Sequence, residues 1–384
     1  MKGKYGLLLL RCHTRLGMLY VYSYLFIGLL GVLVYYLPSE IVVNGAYKKH
    51  SLKSIYIYYF IILFILGLIA GFRADTVGDD THVYSDVFRR AVYGQSVKTI
   101  SAHHLNMESG FIWLAKCVSK FTDSRVLFFF MVAFITNAGI IYFFHNNFDF
   151  PMLPIQTYIA LQYLTTLNVM RQYLAISIVL VSFVLYEKKK YLKFCIVFWI
   201  AFMFHKSSFL LLPYLAISKA KNKRKIVLWF EAILITGGVL LLNKDNLYTV
   251  LKFVRYGRLI YSKYLRPSEN GLGIIKYIYL IILLGGVLVF FIFPKDLDDK
   301  FYVFYFMSVF ATIFAFLAQR YTIVSRVAES YLIFIDLLFA YIFCVLFKKV
   351  KGKQLAYLVV YIILLIPLIR YSYGYTYQVY DRFW

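Results

Sequence analysis

Hydrophobic positions along this chain gather into runs close to the length of a bilayer crossing. A helix needs about 20 apolar residues to cross roughly 30 Å of hydrocarbon. Runs of that order fall near 18–37, 54–72, 126–145, 150–168, 172–186, 191–204, 207–217, 226–242, 274–293, 301–319, 327–347 and 355–371. The pattern predicts an all-α polytopic membrane protein with about 10–12 transmembrane helices, in one integral membrane domain over residues 1–384. Several runs are short for a perpendicular crossing. The stretch 191–217 is split by His205-Lys206-Ser207-Ser208 and holds Pro213, so it reads as a tight helical hairpin or one broken helix. Segment 109–121 is amphipathic and is expected to lie at the interface or re-enter. Leu7–Leu10, between Lys4 and Arg11, is too short for a signal-peptide core, so the first helix should stay attached.

Lysine marks one side of this arrangement. Short loops at Lys48-Lys49-His50, Glu187–Lys190, Lys219–Lys225 and Lys348–Lys353 are lysine-rich, which places them in the cytoplasm. Arginine sorts the other way: Arg73, Arg89, Arg90, Arg125, Arg171, Arg255, Arg258, Arg266, Arg320, Arg326, Arg370 and Arg382 fall outside or near the outer surface, with Arg224 the exception. The outer loops are then 73–125 and 243–272, with an outer tail at 372–384. Arginine carries a planar fork that grips phosphate in bidentate fashion, so an outward set of arginines suits a lipid-linked phosphate or diphosphate. Pairing with lipid head groups is the plainer reading for any one of them.

Composition closes off other classes. Hydrophobic residues make up 62% of the chain, well above the roughly 45–50% of soluble domains. The net charge of +24 would suit nucleic acid. Its basic residues, however, are scattered between spans instead of clustered on a soluble face, so no nucleic-acid partner is expected. The four cysteines show no CxxC spacing, which argues against a disulfide framework or a zinc site.

Polar chemistry concentrates in a few places. Residues 71–90 read GFRADTVGDDTHVYSDVFRR, a dense set of charges in an apolar chain. Charge facing hydrocarbon costs kilocalories, so such a stretch needs a use. Gly78 before Asp79-Asp80 gives a tight turn with paired carboxylates, which can act as base or hold a cation. A divalent metal at Asp75, Asp79 and Asp80 is one reading; no cofactor is the favoured one. Arg171 opens a helix whose N-terminus adds donors of the same electrostatic sign, so it either binds an anion or snorkels to head groups. His205 ends a helix as a base or as a structural group. Segment 243–272 interleaves basic residues with tyrosines and reads equally as a surface helix or as a substrate gate.

These elements, in their order, resemble the EpsG-like proteins, which belong with the Wzy-type polymerases of bacterial surface polysaccharides. Arg73, Gly78, Asp80, Thr81 and Tyr84 are similar to an R-x(n)-G-x-D-[TY]-x-x-Y element. Glu108-Ser109-Gly110-Phe111 with Leu114 resembles E-x-G-F/Y-x-x-L. Arg171-Gln172-Tyr173-Leu174-Ala175 resembles R-Q-x-L-A, and Ala201–Ser207 resembles A-x-x-x-H-x-[ST]. Arg326 with Tyr331 resembles a late R-x(4)-Y. The likeness covers most of residues 54–350. Asp79 stands where the family carries a small or polar residue.

The resemblance implies a polymerase in the bacterial inner membrane, its site facing the exterior, that joins polyprenyl-diphosphate-linked oligosaccharide units into O-antigen or exopolysaccharide. Implied catalytic residues are Asp80, Asp79, Glu108 and His205. Arg73, Tyr84, Arg171, Gln172, Arg326 and Tyr331 would bind diphosphate or glycan. Implied partners are the lipid-linked oligosaccharide, membrane lipid and a chain-length regulator. Two other classes stay open: a flippase or exporter of lipid-linked sugars, which should show repeat symmetry, and a membrane acyltransferase centred on His205.

Overall fold

In a computed structural model of the chain, the structure describes residues 20–31, 33, 52–75, 78, 80–104, 107–148, 151–229, 236, 275–318, 322–347 and 360–369. No strand occurs among them; they are helical almost throughout. The helices are α1 (Tyr20–Gly31), α2 (Leu52–Gly71), α3 (Thr81–Val92), α4 (Val97–His103), α5 (Ser109–Ser119), α6 (Arg125–Asn147), α7 (Met152–Leu161), α8 (Tyr163–Asn168), α9 (Met170–Glu187) and α10 (Tyr191–Phe204), then α11 (Pro213–Lys219), α12 (Ile275–Ile292), α13 (Asp299–Leu317), α14 (Thr322–Tyr331), α15 (Ile333–Leu346) and α16 (Val360–Ile369). Six segments among the described residues are long and apolar enough to cross a membrane: Ser54–Gly71, Arg125–Asn147, Met170–Glu187, Ile275–Ile292, Asp299–Leu317 and Val324–Leu346. The protein is an all-α, multi-pass membrane protein.

The helices fall into two compact units, one from Met1–Lys206 with Tyr357–Trp384 and one from Ser207–Ala356. In the first, α2 lies against α6, α6 against α9, and α9 against α10. Phe60 and Phe64 on α2, and Ile196 and Trp199 on α10, point away from the protein, as lipid contact requires. α6 and α9 meet where Gly139 faces the Ser177 backbone; a Cβ there would stand 2.9 Å from the Ser177 carbonyl oxygen. Small residues let membrane helices approach closely, and dispersion then replaces the missing hydrophobic drive. α1 meets α16 through stacked Tyr24 and Tyr361 rings, 4.9 Å between centroids.

The stretch expected as one span over 150–168 is instead two short helices, α7 and α8, parted at Gln162 (φ −132°, ψ −26°). Almost every residue from Met152 to Leu167 is buried. A helix apolar on all sides is as consistent with a protein core as with lipid, and here the neighbours are protein. The expected run 327–347 overlaps the crossing Val324–Leu346, where α14 passes into α15 at Leu332 with helical backbone angles (φ −57°, ψ −31°).

Segment 73–125 is a folded layer, not an open loop. α3 buries Thr81, Tyr84, Val87, Phe88 and Ala91, the spacing of one amphipathic face. The last four join Ile100 of α4, Phe111 and Ala115 of α5, and Phe128, Val132, Met170 and Leu174 of α6 and α9 in a single apolar cluster. The Phe88 and Phe128 rings stack at 4.4 Å. The amphipathic stretch 109–121 is realised as α5; its 11 residues reach only about 16 Å at 1.5 Å per residue, too little to cross a bilayer.

In the second unit, α13 packs on α11, α12, α14 and α15. Asp298 caps α13 by accepting from the Lys300 and Phe301 amides at 2.9 and 3.2 Å. Segment 191–217 is α10, a 3-10 turn over Lys206–Leu211, and α11 opening at Pro213. The expected span 226–242 lies largely outside the described residues. Segments 1–17, 243–272 and 372–384 lie wholly outside them.

Replacing Gly139 with Val should force α6 from α9 and cost roughly 1–3 kcal/mol. A thermal melt of the detergent-purified protein checks this, and an unchanged midpoint would contradict the close packing.

Candidate functional site

Glu108 is the residue on which distant segments converge. It occupies the N-cap position of α5 (φ −67°, ψ 142°), yet its side chain makes no capping bond. One carboxylate oxygen accepts from the Arg171 guanidinium in an ion pair, and the other lies 2.8 Å from His205 Nδ1. The three residues stand 63 and 97 positions apart along the chain. Their side chains keep 12% (Glu108), 19% (Arg171) and 25% (His205) of their surface, so the cluster is enclosed but reachable.

Local chemistry explains each placement. Gly110 lies so close to the end of α10 that a Cβ would sit 2.6 Å from the Met203 carbonyl oxygen. That approach carries Glu108 to the end of α10. His205 leaves the helix in an extended conformation (φ −160°, ψ 125°), with its amide still donating to Ala201. Arg171 is the second residue of α9, where free backbone amides add partial positive charge. α9 and α10 are joined by a tight turn at Lys188–Lys190, with Lys189 at φ +58°. The hairpin therefore brings the start of α9 and the end of α10 to one place, far from the lysines.

The motif at 73–84 supplies the next layer. Gly78 has φ +82°, and a Cβ there would meet Asn168 Cα at 2.9 Å, so only glycine fits. The Asn168 side chain accepts from the Asp80 amide at 3.3 Å. This turn starts α3 and sets Tyr84, whose ring centroid lies 5.8 Å from the Arg171 guanidinium and whose hydroxyl hydrogen-bonds it. Asp80 acts on the same cation through space. The structure thus gathers Asp80, Tyr84, Glu108, Arg171 and His205 in the first unit.

Other expected site residues sit differently. Arg73 is 2% exposed, with its guanidinium 4.3 Å from the Phe129 ring centroid and within 3.5 Å of the Met170 sulfur. It underpins the residue before Arg171 instead of opening to solvent. Gln172 is buried as well. The Asp75 carboxylate is engaged by Arg125 and the Ser85 hydroxyl. Asp79 lies outside the described residues. Arg326 and Tyr331 belong to the second unit, where Arg326 faces Glu329 at 3.8 Å and Tyr331 donates to the Leu210 carbonyl and stacks on Phe310. Asn168 escaped the sequence reading; its only signal was its place just before Met170-Arg171.

Burial alone would raise the Glu108 carboxyl's pKa, but the His205 hydrogen bond and the Arg171 and His205 charges outweigh it, and the net shift is downward. A depressed folded-state pKa means this stabilisation is complete above the usual carboxylate range and is lost as pH falls through the depressed value. Glu108→Gln should therefore lower stability by roughly 1–3 kcal/mol near neutrality. The gap between variant and wild-type melts should close on acidification. A gap that widens in acid would contradict the ion pair.

Comparison with known proteins gives one informative match. No curated protein and no solved structure matches the chain significantly. The model of the EpsG family matches residues 56–382, which include every residue of the cluster. The chain belongs to the EpsG family.

Proposed function

We propose that this protein is a glycosyltransferase-type polymerase that joins polyprenyl-diphosphate-linked oligosaccharide units into a surface polysaccharide. The observation that carries the reading is the Glu108 carboxylate shared by Arg171 and His205. Family membership supports a polysaccharide polymerase role. The substrate, its lipid carrier and the membrane face are inferred from the chemistry of the cluster.

In the proposed reaction, a hydroxyl of one lipid-linked unit attacks the anomeric carbon of another. A C–O bond to the acceptor forms, the C–O bond to the diphosphate breaks, and polyprenyl diphosphate leaves with the electron pair. His205 Nδ1 hydrogen-bonds Glu108, which leaves Nε2 as the nitrogen that accepts the acceptor hydroxyl proton. Glu108 stabilises the imidazolium formed. Arg171, at a helix N-terminus, supplies the positive charge that stabilises the departing diphosphate. Asp80 orients the acceptor, and Tyr84 holds Arg171 from beneath. These parts supply electrostatics and proton transfer without need of a further ion, so no cofactor is invoked.

The α9–α10 hairpin supports an outer-face reading. The 18 residues of α9 span about 27 Å, so Arg171 and Lys188–Lys190 stand at opposite ends of one helix. Lysine loops favour the cytoplasm, and the reading proposed here therefore has the cluster on the outer side of the bacterial inner membrane. Arg326, Tyr331 and Arg73 remain proposed contacts for diphosphate or glycan, and a chain-length regulator remains a proposed partner.

In a strain lacking the gene, the wild-type protein should restore long polymer. Arg171→Ala should leave mostly single units on the carrier or lipid core, and Arg171→Lys should restore only short chains because it keeps charge but loses the fork. Glycan gels read the outcome. Normal chain length from Arg171→Ala would sink the site assignment. Units trapped in the cytoplasmic leaflet of the null strain would instead indicate an exporter.

A further inference from the structure

A second carboxylate in the α3–α5 layer gathers nitrogen donors in the same way. α4 ends at His103, and His104 leaves helical geometry (φ −108°, ψ 81°). In a continued helix, neighbouring side chains would diverge by about 100°. Here the break turns both rings to one side, with centroids 4.8 Å apart and planes at 88°. Both Nε2 atoms approach one oxygen, Asp86 Oδ2 on α3, at 2.8 Å for His104 and 3.8 Å for His103. The three ligand-type atoms lie within 4.8 Å of one another.

A cation already stands among them. The Arg90 guanidinium donates through Nε to Asp86 Oδ2 at 2.6 Å, and its terminal NH2 lies 2.6 Å from His103 Nε2. Arginine is only a donor, so in this contact His103 Nε2 presents its lone pair, the atom through which imidazole binds metal. Arg90 also has a fallback partner, Gln95 Oε1, at 3.3 Å. Asp86 Oδ1 is also engaged by the Arg89 guanidinium.

We propose that Asp86, His103 and His104 form a binding site for a divalent transition-metal ion of the zinc class, with the Arg90 guanidinium as its built-in competitor. Two imidazoles and one carboxylate suit zinc, nickel or copper and not magnesium or calcium. At about 2.1 Å from a tetrahedral ion, donor atoms stand roughly 3.4 Å apart. The present spacings bracket that value, so a small rotation of the exposed His103 ring closes the site. On binding, Arg90 moves to Gln95, and a fourth position stays open to water or another ligand. The ion would tie α3, which carries Tyr84, to the end of α4. The His104 carbonyl accepts from the Met107 amide at 3.0 Å, one residue before Glu108, so the tether borders the functional cluster. The site does not depend on the polymerase reading.

The test uses the full chain, purified in detergent and stripped with a chelator that is then removed. Zinc chloride is titrated by calorimetry, with cobalt(II) absorption reporting nitrogen ligation. The wild type should take up one equivalent with a rise in melting temperature. His103→Ala, at a half-exposed position that leaves the apolar cluster intact, should weaken binding at least ~10-fold, and His104→Ala likewise. Arg90→Gln should tighten binding about tenfold, because it removes the competitor. Equal uptake by wild type and both histidine variants would overturn the site. Unchanged or weaker binding by Arg90→Gln would overturn it as well, since a site built for anions loses affinity with that arginine.

Discussion

A charge enclosed among apolar helices must be neutralised where it stands, and Glu108 meets that demand with two partners at once. Its carboxylate joins Arg171 at the head of α9 and His205 at the tail of α10. Removing either partner leaves a desolvated charge, which costs more than the pair itself contributes. This demand fixes much else. Gly110 must be small so that α5 can reach α10, and the lysine turn must fold α10 back along α9. The Gly78 turn must seat against Asn168 so that α3 delivers Tyr84 to Arg171. Segments distant in sequence are thus held to one another by a single electrostatic requirement.

The same device appears twice in the α3–α5 layer. Glu108 is shared by an arginine and a histidine, and Asp86 is shared by Arg89, Arg90 and His104. The two differ in setting. Glu108 pairs with Arg171 at the head of α9, where the guanidinium and the helix terminus carry charge of the same sign. Asp86 lies on a polar face of α3, with its strongest partners one helical turn away.

The membrane character and most helix positions were legible in the sequence because hydrocarbon imposes length and polarity on every crossing. α2, α6, α9 and α12 fall where the apolar runs fall. α7 and α8 did not read correctly, since a run of apolar residues looks alike whether lipid or protein surrounds it. Glu108, Arg171 and His205 were legible as single residues with charge in apolar context. Their mutual contact was not, because nothing in local pattern tells which distant segments pack together. The glycines show the reverse: Gly78 and Gly110 stood out in motifs, and only the structure shows what each makes room for.

Glu108 and His205, if they form one base for an acceptor hydroxyl, must act as a single unit. Single and double variants (Glu108→Gln, His205→Ala) reconstituted in liposomes with a polyprenyl-diphosphate-linked oligosaccharide give the measurement, read as the rate of chain extension. Loss of a positioned base should slow extension by roughly 10²–10⁴-fold, and the double variant should be no slower than His205→Ala alone, as expected of residues acting together. Extension by His205→Ala at the wild-type rate, or losses that multiply in the double variant, would contradict it.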